Sequence, residues 1–252
     1  MMLFKKRYTT IGLNKLFEKR VNIALPFKKK LKNNYTTFIH CAAEIKQASK
    51  MQATNVIGTR NCLDFCIQNK IRNFIFISSI HVGRKQEMNK SKKNAFLHYL
   101  QTKKKAEELV KREKDNFRNT TVARISSPIG RKTRTNQILL ALVERAKKNM
   151  PLILWGNPNR MGNYLYLKDL GSVISELIKK RGHAIYSIRN KYNISDYSLA
   201  YLIKCKLKSK SKIYVKKKYF SKIMKKTHEV KCGRVGKTNI KKIILNVAKN
   251  KY

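Results

Sequence analysis

At 252 residues and 42% apolar content, the chain can hold one full domain, or a larger and a smaller lobe, around packed cores, and its composition excludes a disordered polymer. Its 59 basic against 13 acidic residues give a formal charge of +46, which taken alone points to nucleic acid or an anionic membrane surface. The lysines are spread along the whole chain among many Asn, Ile and Tyr, the residues of adenine- and thymine-rich codons, so mutational bias is the competing reading of that charge.

No apolar run approaches the roughly 20 residues that a bilayer span requires, and the basic N-terminus lacks the apolar core of a signal peptide. Five cysteines at 41, 62, 66, 205 and 232 form no CxxC pair and no histidine cluster of zinc spacing, so the expected metal content is none. Their odd number fits a reducing compartment, with the cytoplasm as the default location.

In chain order, TTFIHCAA (36–43), NFIFISS (73–79) and TTVARISS (120–127) read as strands. Each is a β-branched or aromatic run without polar alternation, as suits strands buried on both faces. Between the first two lies a helical segment, MQATNVIGTRNCLDFCIQN, weakened only by Gly58. Between the second and third lies HYLQTKKKAEELV. Strand, helix, strand, helix, strand predicts right-handed crossovers and an α/β fold with a doubly wound parallel sheet, Rossmann-like but N-terminally incomplete. Ligands of such sheets sit beyond the carboxyl ends of the strands, where His40 to Ala43, Ser78, Ser79 and Ser126 to Gly130 fall.

Tyr99 and Lys103 stand one helical turn apart, and residues i and i+4 share a helix face at roughly 6 Å between Cβ atoms. A phenol with a neighbouring ammonium is a proton donor and acceptor whose pKa the cation is expected to lower from about 10. Further on, NQILLALVERAKKNMP predicts a helix ended by Pro151, LILW and YLYL strands, and DLGSVISELIKK a helix with Asp169 at its cap or first turn. AIYSIRN then SDYSLAYLIKCKL repeats strand and helix, with Ser195 or Asp196 as the cap, and NIKKIILNVAKN predicts a last helix. The expected border runs at residue 150, with a Rossmann-like part over 1–150 and a substrate lobe over 151–252, partly interleaved with the first.

FIHCAA, NVIGTRNCLDFC, FIFISSIHVG, YLQTK, ARISSPIG and LILWGNPNRMGNYLYLKDLGSVI occur in the order and spacing of one family, from about residue 36 to about 200. The chain resembles an extended short-chain dehydrogenase/reductase of the NAD-dependent epimerase/dehydratase family. The resemblance implies an NAD- or NADP-dependent epimerase, dehydratase or reductase acting on a nucleotide-sugar-like small molecule. It implies Tyr99 as acid/base, Lys103 as the residue that holds the cofactor ribose and lowers the tyrosine pKa, and Ser79 as the hydroxyl on the reacting oxygen, with Ser78 second to it for that role and, like Tyr99, a contact of the cofactor. Asn55 matches the family asparagine. Ala42 and Ala43 match small residues beside the cofactor, Ser126 to Pro128 the stretch beside the nicotinamide, and Ser127 a substrate-contacting position where many members carry asparagine.

Two departures accompany the resemblance. Members open on a glycine-rich strand and turn that cradles the pyrophosphate, whereas residues 1–35 hold one glycine, Gly12, and one acid, Glu18. The expectation from this is a truncated or degenerate enzyme. Gly162 occupies the place where many members grip the substrate diphosphate with arginine, and Arg160, two residues earlier, is the candidate substitute. The alternative reading is a non-enzymatic RNA-binding or scaffold protein on the same sheet, with KLKSKSKIYVKKKYF (206–220) and the basic front segment as the places to look. A homodimer is carried as an expectation only.

Overall fold

The computed structural model describes residues 21–28, 30–31, 35–82, 95–130, 138–216, 235–236 and 238–249. Gly12, Glu18, Cys232 and residues 217–220 of the basic stretch lie outside the described residues. The chain divides into two units. The first comprises Met1–Ile125, Gly171–Ser187 and Thr227–Gly233, and the second Ser126–Leu170, Ile188–Lys226 and Arg234–Tyr252.

The first unit begins with β1 (Thr37–His40), then α1 (Ala48–Met51), which runs through a π-helical turn at Gln52–Ile57 into α2 (Gly58–Gln68). The strand β2 (Asn73–Ser79), the long helix α3 (Ala95–Arg112) and β3 (Asn119–Ile125) follow. β1, β2 and β3 pair in parallel, with His40 opposite Phe76 and Ser79 opposite Ile125. All of β2 except Ile77 is buried, which is why its sequence shows no alternation: both faces are covered. The doubly wound parallel class expected from sequence is the one observed.

Phe74 and Phe76 of β2 and Val122 of β3 form one core with Cys62, Leu63, Phe65 and Cys66 of α2 and Ala106 and Val110 of α3. The Phe38 ring stacks on Phe74 at 5.6 Å with 7° between planes, a contact worth about 0.5–1.5 kcal/mol beyond its buried area. Helix α2 stops with Lys70 in the left-handed region (φ 52°), which turns the chain so that Ile71 N–H bonds back to Cys66 O at 2.9 Å. The described part of the front segment lies on this helix. Ile23 O accepts from Asn61 Nδ2 at 2.8 Å, and a Cβ at Gly58 would sit 2.9 Å from the Ile23 side chain. Gly58 is therefore a contact point rather than a weakness in the helix.

The second unit holds β4 (Ser127–Ile129), α4 (Ile138–Lys147), β5 (Leu152–Trp155), β6 (Met161–Gly162) and β7 (Tyr164–Tyr166). Helix α5 (Leu167–Leu177) and β8 (Gly182–Asn190) pass between the units, and the first-unit sheet takes the order β1-β2-β3-β8. The second unit continues with β9 (Ile194–Ser195), α6 (Asp196–Lys206), β10 (Ile213–Lys216), β11 (Val235–Gly236) and α7 (Ile240–Ala248). The end of β8 pairs in parallel with β11, β4 pairs with β7, and β5 pairs with β10. Ser195 caps α6 by accepting from Ser198 N at 3.0 Å, and Asn239 caps α7 by accepting from Lys241 N at 2.8 Å.

The first border between the compact units falls at Ile125/Ser126. Leu139, Leu140, Leu142 and Val143 of α4 share a core with Leu152, Leu154, Leu199, Ile203, Ile243 and Ile244, so residues 126–150 belong with the second unit. Residues 171–187 return to the first, where Leu177 O accepts from Asn119 Nδ2 at 2.9 Å.

Candidate active site

Helix α3 buries Leu100, Thr102, Lys103, Ala106, Glu107 and Val110 on one side. Two of these are charged, and a buried charge must be paired or hydrogen-bonded to persist. The Lys103 side chain is met by the chain itself. Its Nζ donates to Ile77 O at 2.7 Å and lies 3.8 Å from the centre of the Phe76 ring. Burial lowers its pKa from 10.5 to about 7, against the raising influence of Glu107 and Cys41.

Tyr99 lies one turn earlier, half-buried, its ring stacked against Phe96 at 6.3 Å. Burial, and then the Glu107 charge, raise its pKa from 10 to about 12. The lowering expected from Lys103 is corrected: burial and the Glu107 charge both raise the pKa, and at neutral pH the phenol keeps its proton.

The two serines of β2 part company, as successive strand side chains do. Ser78 Oγ donates to Glu107 Oε1 at 2.5 Å, so the hydroxyl expected to meet the cofactor is instead taken up by a carboxylate. Ser79 Oγ accepts from His81 N at 3.3 Å at the strand end. Arg124 of β3 grips the same carboxylate, with Nε 3.0 Å from Oε1 and Nη2 2.6 Å from Oε2. Glu107 and Arg124 were not among the sequence candidates. Their signal was present: Glu107 extends the Tyr99–Lys103 stripe by one more turn, and Arg124 is a lone cation in a buried strand.

Asn55 is 1% exposed and sits in the π-helical turn rather than at a helix start, and such turns cluster at functional sites. Its Oδ1 accepts from Glu44 N at 2.7 Å, and its Nδ2 donates to Glu44 O at 2.9 Å and to Thr102 Oγ1 at 3.0 Å. Asn55 thereby ties the loop after β1 to the middle of α3. Glu44 Oε1 in turn accepts from the amides of Ile45, Lys46 and Gln47, which hold its carboxyl below the usual range. Ala42 and Ala43, exposed and half-exposed, form the small-residue start of this braced loop.

His40 ends β1 with Nε2 3.0 Å from Thr59 Oγ1, and burial plus the Lys103 charge bring its pKa from 6.5 down to about 3. The unfolded chain therefore binds the proton that the folded chain refuses, and His40 makes stability fall as pH drops from about 6.5 towards 3. His40→Gln is expected to flatten that limb of a melting-temperature profile while leaving the profile above pH 7 parallel to the native one.

In the second unit, Ser126 directly follows the end of β3. Its Oγ is buried and without a hydrogen-bond partner, so this hydroxyl is an orphan that fits a polar ligand group. Ser127 and Pro128 lie in β4, where Ser127 N bonds to Asn163 O at 3.2 Å. Arg160 is 66% exposed, and its Nε donates to the buried Asp196 carboxylate at 2.8 Å. A side chain at Gly162 would meet the Tyr164 hydroxyl at 2.9 Å, so the Tyr164 ring holds the space that an arginine there would need. Among the described residues no cluster of three or more His, Cys, Asp or Glu is placed to hold a metal ion. No helix among them is long and apolar enough to cross a membrane.

Comparison with known proteins places this geometry. A UDP-glucose 4-epimerase from Thermotoga maritima, solved with UDP-glucose, superposes with a TM-score of 0.71 at 16% identity, covering 85% of this chain and 76% of that one. A UDP-glucose 4-epimerase from Thermus thermophilus, solved with NAD, gives 0.61 at 14% identity, covering 71% and 64%. A dTDP-D-glucose 4,6-dehydratase from Dictyostelium discoideum is 23% identical over 207 residues, covering 75% of this chain. The chain spans 46% of the length of that relative. The model of the NAD dependent epimerase/dehydratase family matches residues 27–195, two-thirds of the sequence, and the chain belongs to that family.

Proposed function

We propose that the protein is an NAD- or NADP-dependent epimerase, dehydratase or reductase acting on a nucleotide-sugar-like substrate. The observation that carries this reading is Lys103, buried one turn from Tyr99 and held by β2 two residues before Ser79. A lysine is rarely kept at 2% exposure without a task for its charge. Lys103, Ala42 and Ala43 are the residues of the first unit that would hold the dinucleotide. When bound, that group supplies reversible acceptance of a hydride from a sugar carbon.

The chain's own residues handle the proton and the oxygen. Tyr99 exchanges a proton between its phenol oxygen and the substrate hydroxyl, and Lys103, as ammonium, stabilises the phenolate that forms. Ser79 donates to the substrate oxygen as it gains carbonyl character. Asn55, through Thr102 and Glu44, keeps the loop and helix in place. Ser127 and Arg160 serve the substrate, the exposed part of the Arg160 guanidinium suiting a diphosphate. The test is incubation of the full chain with NAD or NADP and UDP- and dTDP-hexoses deuterated at the oxidised carbon, followed by mass spectrometry. Inversion with the label kept on its carbon, relocation of the label to another carbon, or its loss to the cofactor is expected, according to which of the three reactions runs. Sugars unchanged in configuration, mass and label position, with cofactor bound, contradict the reading.

A second reading has its own observation. On the outer face of β5 and β10, Trp155 and Tyr214 are 63% and 47% exposed, with Lys216 Nζ 5.2 Å from the Trp155 ring centre. Aromatic platforms with lysines bind single-stranded nucleic acid in a salt-dependent way, and fluorescence of Trp155, the one tryptophan, titrated with RNA, separates this role from the first.

A further inference from the structure

We infer that Glu107 is a positioning residue of the site: clamped by Arg124 and Ser78, its carboxylate sets where α3 lies on β2 and places a negative charge one helical turn from Lys103. This rests on the Tyr99–Lys103 reading above and deepens it.

The clamp has two jaws on neighbouring residues of one strand. Lys103 Nζ bonds Ile77 O at 2.7 Å, and one helical turn later Glu107 Oε1 bonds Ser78 Oγ at 2.5 Å. No shift of the helix along the strand satisfies both. Arg124 fixes the carboxylate from β3 with Nε and Nη2, so three elements meet at one group whose side chain is 6% exposed. A structural anchor alone does not require a negative charge, since a buried ion pair is often matched by well-packed apolar residues.

The charge bears on its neighbours. The groups that face Lys103 are the Phe76 ring, neutral His40 at the end of β1, the Cys41 thiol just after it and, beyond Glu107, the Arg124 guanidinium. Glu107 is the carboxylate that opposes the loss of the Lys103 proton, and the same charge opposes ionisation of Tyr99. Glu107 thus favours the protonated form of both groups, the ammonium against the pull of burial and the phenol alongside it.

The test is the proton affinity of Lys103 in the full chain, read from pH-dependent amine acylation with mass-spectrometric localisation. In E107Q, whose amide can still accept from Ser78 and Arg124, reactivity of Lys103 at a fixed pH below its midpoint is expected to rise about tenfold, the effect of one unit in the midpoint. The ultraviolet titration of Tyr99, taken as the difference from Tyr99→Phe, is expected to move down with it. E107D, which keeps the charge, restores both towards native values. Should E107Q not fold, Arg124→Gln with Glu107 kept is expected to lower the Lys103 reactivity instead. Unchanged Lys103 reactivity in a folded E107Q or Arg124→Gln overturns the inference. A shifted Lys103 titration in a chain that turns over no sugar contradicts the enzymatic reading alone.

Discussion

Tyr99→Phe is expected to lower turnover by about 10²–10⁴-fold, the usual contribution of a positioned proton donor or acceptor, while the melting temperature stays within a degree or two of native. The ring remains: half-buried, stacked on Phe96, at the same helix position. Only the oxygen that exchanges the proton is lost. The native pH profile follows from the same environment. With the Tyr99 pKa raised to about 12 by burial and Glu107 and that of Lys103 lowered to about 7 by burial, the phenolate fraction grows with pH while the ammonium that steadies it declines above neutrality, so turnover is expected to rise up to about pH 7 and level off beyond it. Turnover that is equal in the native and Tyr99→Phe chains removes Tyr99 from the mechanism.

Arg124→Met is expected to cost about 3–5 kcal/mol, because it strands the Glu107 carboxylate in the interior without its partner. For a chain of this size that corresponds to a fall in Tm of roughly 6–20 °C. The guanidinium makes both Nε and Nη2 bonds to the carboxylate, and both side chains are largely buried, at 15% and 6% exposure. The double change Arg124→Met with Glu107→Leu is expected to recover most of the loss, since the stranded charge is then gone. Calorimetry on the three chains checks this. A single Arg124→Met chain as stable as the native one means that the pair carries no net energy.

The first-unit strands were legible because β2 and β3 are covered on both faces and their sequences state it directly in NFIFISS and TTVAR. The i,i+4 spacing of Tyr99 and Lys103 was legible for a similar reason: helical periodicity fixes who shares a face. Glu107 belonged to the same stripe, but its role needed Arg124, 17 residues on in another element, and such a pairing is a property of the fold. Asn55 was recognised as a residue but not in its setting, since no glycine or proline within Gln52–Ile57 announces a π-helical turn. The unit border at Ile125/Ser126 was not legible because α4 finds its partners in α6 and α7, far away in sequence. Arg160 was legible as a candidate diphosphate contact but its partner was not, since Asp196 lies 36 residues later in another element.

The account stands most directly on whether the chain binds a dinucleotide through Lys103, and thermal melting with NAD and NADPH measures it. Binding to the folded form raises stability by about 2.7 kcal/mol at a hundred times Kd, so one of the two cofactors is expected to raise the Tm by several degrees, and Lys103→Ala to abolish the increase. An unchanged Tm at millimolar NAD and NADPH, in a chain that melts cooperatively, contradicts the account.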